Sequence, residues 1–141
     1  GKPIGLGTHV PETVLRSEDE DWGVDFYMTC LHNSRKRGGE PSSFITGKTK
    51  HLKFFMEDRE EMFKVIQQVK KPCIAFKVFA GGQMFYEKSP EEVSVVVEEA
   101  LRETFANIKP TDLATVGFFQ RDKDQLRENA LIAQKILTAG S

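Results

Sequence analysis

Pro72-Cys73-Ile74-Ala75-Phe76-Lys77-Val78-Phe79-Ala80-Gly81-Gly82 is a continuous apolar run, broken once by a lysine and closed by two glycines. With no polar alternate face, it reads as a buried parallel strand, the kind that helices cover in an α/β sheet. The rest of the chain repeats this unit with variations. Upstream, Lys2 to His9 forms a short strand that also starts on Lys-Pro, and Val24 to Asn33 is rich in residues that suit a pleated, buried surface. Downstream, Leu113 to Phe119 supplies a fourth strand.

Helical patterns lie between and after these strands. Pro11 suits a first helical position, with Val14, Leu15 and Trp22 as the inner face and Gly23 as the stop. Asp58 and Glu61 form a capping box ahead of the stripe Met62, Val65, Ile66, Val69. Ser89-Pro90-Glu91-Glu92 is the clearest helix start, followed by Val93, Val96, Val97, Ala100, Leu101 and Phe105. A last helix runs from about Asp122 to Leu137, with Leu126, Ala130, Ala133, Ile136 and Leu137 aligned. Between Ser34 and Phe55 the periodicity breaks into a long Gly-, Pro- and Lys-rich loop, a candidate binding loop by its length. Its cluster of Arg35, Lys36, Arg37, Lys48, Lys50, His51 and Lys53 can attract an anion, although such charge runs are usually only solvated.

The 141 residues fit one domain, 1–141. Twenty Lys and Arg against 21 Asp and Glu leave a net charge of −1, which argues against nucleic acid or an anionic membrane as partner. No apolar run approaches the roughly 20 residues of a bilayer span, and the N-terminus lacks the features of a signal peptide, so the cytoplasm is the expected compartment. Cys30 and Cys73 each sit in an apolar run and are expected as free, buried thiols.

Four strands alternating strictly with four helices give a (βα)4 chain and a parallel sheet with right-handed crossovers. Taking alternate side chains to opposite faces, one set reads Ile4, Leu6; Phe26, Met28, Cys30; Ile74, Phe76, Val78; Ala114, Val116, Phe118. This wholly apolar set is expected beneath the helices. The other set reads Gly5, Gly7, His9; Asp25, Tyr27, Thr29; Cys73, Ala75, Lys77; Thr115, Gly117, Phe119, and its small and polar members suit a barrel lumen. The expected fold is therefore a (βα)4 half-barrel with helices on one face. Pairing of two copies as a homodimer, or as a dimer of dimers, would close it into an eight-stranded barrel.

Gly-Leu-Gly-Thr-His9, Val-Asp-Phe-Tyr-Met-Thr-Cys30, the central strand with Ala80-Gly81-Gly82, and Thr-Val-Gly-Phe-Phe119 together resemble strands five to eight of a TIM barrel. The resemblance is to uncharacterised barrels of the aldo/keto-reductase-like or phosphate-binding kind and spans the whole chain, at about half the roughly 250 residues of a complete barrel. It implies a site at the C-terminal strand ends, with phosphate held by Gly81, Gly82, Gly117 and Phe118. An Asp25, Tyr27, Lys77 and His9 set resembles that of aldo/keto reductases in type, but its strand placement departs from that family.

Among single residues Lys77 is the foremost candidate, since desolvation on a lumen face would tune it as a base or Schiff-base nucleophile. An ion pair with Asp25 is the structural alternative. His9 is an acid/base candidate at the barrel mouth, weighed against a hydrogen-bonded wall residue. A zinc site from His9, His32 and Cys30 is not expected, because Cys30 points to the opposite face. No cofactor is specified, and whether the chain is an enzyme is open. Three functions remain: a self-associating half-barrel with a small anionic ligand at its strand ends, an aldolase- or reductase-like enzyme using Lys77, or a flavodoxin-like binding module.

Overall fold

The computed structural model describes residues 1–32, 56–121 and 123–139, without the side chains of 56–58; the loop Ser34–Phe55 falls outside them. Strands β1 (Gly5–Thr8), β2 (Phe26–Cys30), β3 (Cys73–Phe76) and β4 (Leu113–Ala114) alternate with helices α1 (Pro11–Asp19), α2 (Met56–Gln68), α3 (Pro90–Asn107) and α4 (Gln125–Ala139). A 3-10 segment, Ala80–Phe85, follows β3. All strand pairs are parallel and the sheet order is β1-β2-β3-β4, the topology that strict βα alternation dictates. The strands are shorter than the apolar runs, and β4 has only two residues, extended by one further bond from Thr115 N to Ala75 O at 2.8 Å.

Helix starts follow local chemistry. At α3 the Ser89 Oγ accepts from Glu92 N at 3.3 Å while Glu92 Oε2 accepts from Ser89 N at 2.7 Å, completing the capping box, with Pro90 at the first position. Helix α1 likewise begins at Pro11. Helix α2 already includes Met56, ahead of the Asp58 start read from sequence. In α1 the buried residues are Pro11, Val14 and Ser17; Leu15 and Trp22 are exposed, and Trp22 Nε1 donates to Glu20 Oε2 at 2.8 Å.

The helices lie side by side, α1 on α2, α2 on α3 and α3 on α4, and their inner faces join one core with Tyr27, Leu31, Cys73 and Ala75. This corrects the facing of the two central strands. The register Gly5↔Phe26, Gly7↔Met28, Met28↔Ile74 and Ile74↔Leu113 puts those residues on one face, which the helices leave open. Leu6, Tyr27, Thr29, Cys73, Ala75 and Ala114 share the covered face. The expected sides hold for β1 and β4 and are reversed for β2 and β3, where Tyr27, Thr29, Cys73 and Ala75 are all fully buried.

The reason is that β2 and β3 carry apolar residues on both faces, so hydrophobicity does not choose between them. Small residues at Cys73 and Ala75 let the helix layer approach closely, while Tyr27 has a partner waiting on α1. Its hydroxyl donates to Glu18 Oε2 at 2.8 Å, and Glu18 Oε1 accepts from Lys70 N at 2.7 Å. The large Phe26 lies opposite, where Gly5 makes room for it: a Cβ at Gly5 would stand 2.3 Å from the Phe26 ring.

At the N-terminal ends of β3 and β4 the chain is pinned by Asp112. Its side chain is fully buried, accepting from Cys73 N at 2.8 Å and Lys109 N at 2.8 Å and pairing with Lys109 Nζ at 3.0 Å. Both cysteines are free and buried, as expected. No described helix is long and apolar enough to cross a membrane.

Candidate functional site

At the opposite, C-terminal end of the sheet, the chain leaving β3 turns sharply. Lys77, Ala80, Gly81 and Gly82 all have positive φ, at 57°, 51°, 64° and 86°. For Lys77 and Ala80 this left-handed backbone costs on the order of 1 kcal/mol or more each, so the surrounding contacts must hold it. The hold comes from the turn itself and from the residues just past β2: the Lys77 carbonyl accepts from Ala80 N at 3.0 Å and lies 2.7 Å from His32 Nδ1. His32 is 1% exposed. Burial, with the nearby Arg59 charge acting in the same sense, holds its pKa below the usual value. The neutral ring therefore carries its proton on Nδ1 and donates it to the carbonyl.

Between this turn and the segment after β4 lies a cavity of about 610 Å³, within the usual range for small-molecule sites. Phe76, Phe79, Phe85, Phe118 and Phe119 line it, five of the chain's eleven phenylalanines. Phe79 and Phe85 form a tilted pair with centroids 5.4 Å apart. Val93 and Val97 of α3 close its floor, with Ser94, Lys123, Glu128 and Asn129 as its polar wall. Ser94 Oγ donates to Glu128 Oε1 at 2.9 Å and Lys123 Nζ pairs with Glu128 Oε2 at 2.6 Å. The Lys123 contact, outweighing partial burial and helped by Ser94, keeps the Glu128 carboxyl below its ordinary pKa.

Of the residues singled out from sequence, Lys77, Gly81, Gly82, Gly117 and Phe118 all line this cavity. His9 stands at the same end, its ring edge-on to Phe76 with centroids 5.6 Å apart. Asp25 and Tyr27 do not join them. Asp25 Oδ2 accepts from Ile4 N at 2.7 Å at the start of the strands, roughly 20 Å from Lys77 along a strand. Tyr27 is beneath the helices, its pKa raised by burial first and by Glu18. Lys77 itself lies one residue past β3, so the strand alternation used to face it toward the lumen has already ended there.

Several backbone donors at and beside the cavity are committed. Gly82 N donates to Phe79 O at 2.8 Å, Phe119 N to Gln125 Oε1 at 3.0 Å, Leu126 N to Gln120 Oε1 at 3.2 Å and Arg127 N to Asp124 Oδ1 at 3.1 Å. Cys73 is at the other end of β3, and burial pushes its thiol up to about 11, so it stays protonated. Cys30 Sγ donates to His32 O at 3.1 Å, and among the described residues no group of three or more His, Cys, Asp or Glu could hold a metal ion.

Sequence reasoning missed Asn129, which is 8% exposed on the cavity wall. Of the expected α4 stripe, Ile136 is buried and Ala133 partly buried against the core, whereas Leu126, Ala130 and Leu137 are exposed; the second buried position is Asn129. Leucines occur all round this helix, so its apolar pattern gives a weak direction, and a buried asparagine leaves no signal of its own. No known protein family, curated protein or solved structure matches the chain.

Proposed function

We propose that this protein is a (βα)4 unit that binds a small molecule with an aromatic or otherwise apolar body at the C-terminal ends of β3 and β4. The carrying observation is the cavity itself, walled by five phenylalanines at the end of a parallel sheet where such folds place their ligands. The left-handed residues Lys77 and Ala80 beside it support the reading, because backbone strain concentrates where a site is pre-shaped. A phosphate cradle has less support, since the Gly82 and Phe119 amides already donate within the chain and the Lys123 charge is balanced by Glu128. An aldolase- or reductase-like activity has less still, because Asp25 and Tyr27 stand apart from Lys77. The test is a fluorine-NMR screen of aromatic and phosphorylated fragments on the intact chain and on Val93→Trp, which fills the cavity from a partly buried position. Aromatic hits that vanish in the variant are expected; hits that persist, or phosphates alone, refute the reading.

A second reading concerns the open sheet face. Met28 is 37% exposed and Leu113 62% exposed on the face shared by Phe26 and Ile74, with β1 and β4 as free edges in the described sheet. Apolar sheet faces and strand edges are aggregation hazards when left in water. Self-association of two copies into an eight-stranded barrel covers both at once.

A further inference from the structure

We propose that the ligand of this cavity is a planar ring compound presenting a lactam edge, an N–H beside a C=O, to the side chain of Asn129; this rests on the small-molecule reading above. The aromatic lining selects for a flat ring, since offset or edge-on contacts with phenyl faces reward aromatic ligands beyond the area they bury. Orientation then falls to the polar wall. Ser94 and Lys123 are both committed to Glu128, and Gln125 Oε1 holds Phe119 N. Asn129 differs: it is 8% exposed, lines the cavity, and its amide makes no hydrogen bond among the described residues. Asparagine is a poor helix former, and nine-tenths buried in α4 it occupies a place a leucine would fill more favourably. A carboxamide carries a donor and an acceptor side by side, so its complement is an edge with the same pair in reverse order. Glu128 and Lys123 neutralise each other on the same wall, so no unbalanced charge favours an ionic ligand and the neutral lactam is the matching group.

The test is calorimetric titration of the intact chain with three probes of one shape: quinazolin-4(3H)-one, its N3-methyl derivative and quinoline. The lactam is expected to bind about tenfold or more tighter than the other two, as two matched hydrogen bonds to an otherwise unpaired amide on the cavity wall predict. In Asn129→Leu the three affinities should converge on that of quinoline, and Asn129→Ala serves as the second variant if the leucine disturbs folding. Equal affinities in the intact chain, or a lactam preference that survives in the variants, overturn this inference while leaving the aromatic-cavity reading in place. Absence of binding by all three overturns both.

Discussion

Replacing Tyr27 by Phe separates a structural role from a catalytic one. The ring is fully buried and phenylalanine keeps all of it, so no cavity forms. What is lost is one hydroxyl donating at 2.8 Å to a carboxylate that also receives Lys70 N. A hydrogen bond to a charged partner contributes about 1.5–3 kcal/mol, and because Glu18 is only partly buried the lower end applies. Urea unfolding should therefore show a loss of about 1.5–2 kcal/mol with unchanged slope. Glu18→Gln in the Tyr27→Phe background should cost less than Glu18→Gln alone, the coupling being the bond itself. The pH profile carries the same signature. Burial opposes ionisation of Glu18, but Lys70 N, Tyr27 and Lys71 together lower its folded pKa below the ordinary 4.5. Its contribution is thus present above pH 4.5 and lost as pH falls through the folded value, and Tyr27→Phe should make that acid loss shallower. Fragment binding should be untouched. A variant as stable as the parent, or one that loses ligand binding while staying folded, would refute the placement of Tyr27 beneath the helices.

Three further outcomes follow from the geometry. Asp112→Ala should cost about 2–4 kcal/mol in urea unfolding, because it leaves the Cys73 and Lys109 backbone donors without their acceptor, while the partly buried Lys109 ammonium keeps Ile66 O at 2.7 Å; a loss below about 1 kcal/mol would contradict the pinning role. His32 is held neutral, its folded pKa below 6.5, so stability should fall as pH drops below 6.5 toward that value, by up to about 1.4 kcal/mol per pH unit, and His32→Gln should flatten the slope; an unchanged slope tells against it. For the open face, sedimentation at micromolar concentration should give a species of twice 16.0 kDa or larger, and Met28→Lys with Leu113→Lys should reduce it to 16.0 kDa or unfold it; a stable, folded monomer of the parent chain refutes self-association.

How much of this was legible depends on whether the signal is local. Ser89-Pro90-Glu92 specifies a helix start through contacts within four residues, and the structure has them all. Strand order follows from alternation alone. The facing of β2 and β3 was not legible, because Phe26, Met28, Ile74 and Phe76 are as apolar as what lies beneath the helices, and the polar Tyr27 is buried by virtue of a partner nine residues away in sequence. Lys77 lines the cavity at the expected end of the sheet, but strand alternation does not place it there: period two ends where the backbone turns left-handed, and nothing in Phe76-Lys77-Val78 announces that turn. The glycines at 81, 82 and 117 were read to the right end of the sheet, since a turn after a parallel strand can only be there. Asn129 needed the rotation of α4, which its scattered leucines do not give.

The central claim, a ligand cavity between the loops after β3 and β4, is tested most directly by backbone amide NMR during titration with an aromatic fragment. Shifts should concentrate on Gly81, Gly82, Gly117 and Phe118, with Gly5 and Gly7 on the open sheet face unmoved. Saturable shifts centred on Gly5, Gly7 and Met28 instead, with the cavity amides unchanged, would contradict it.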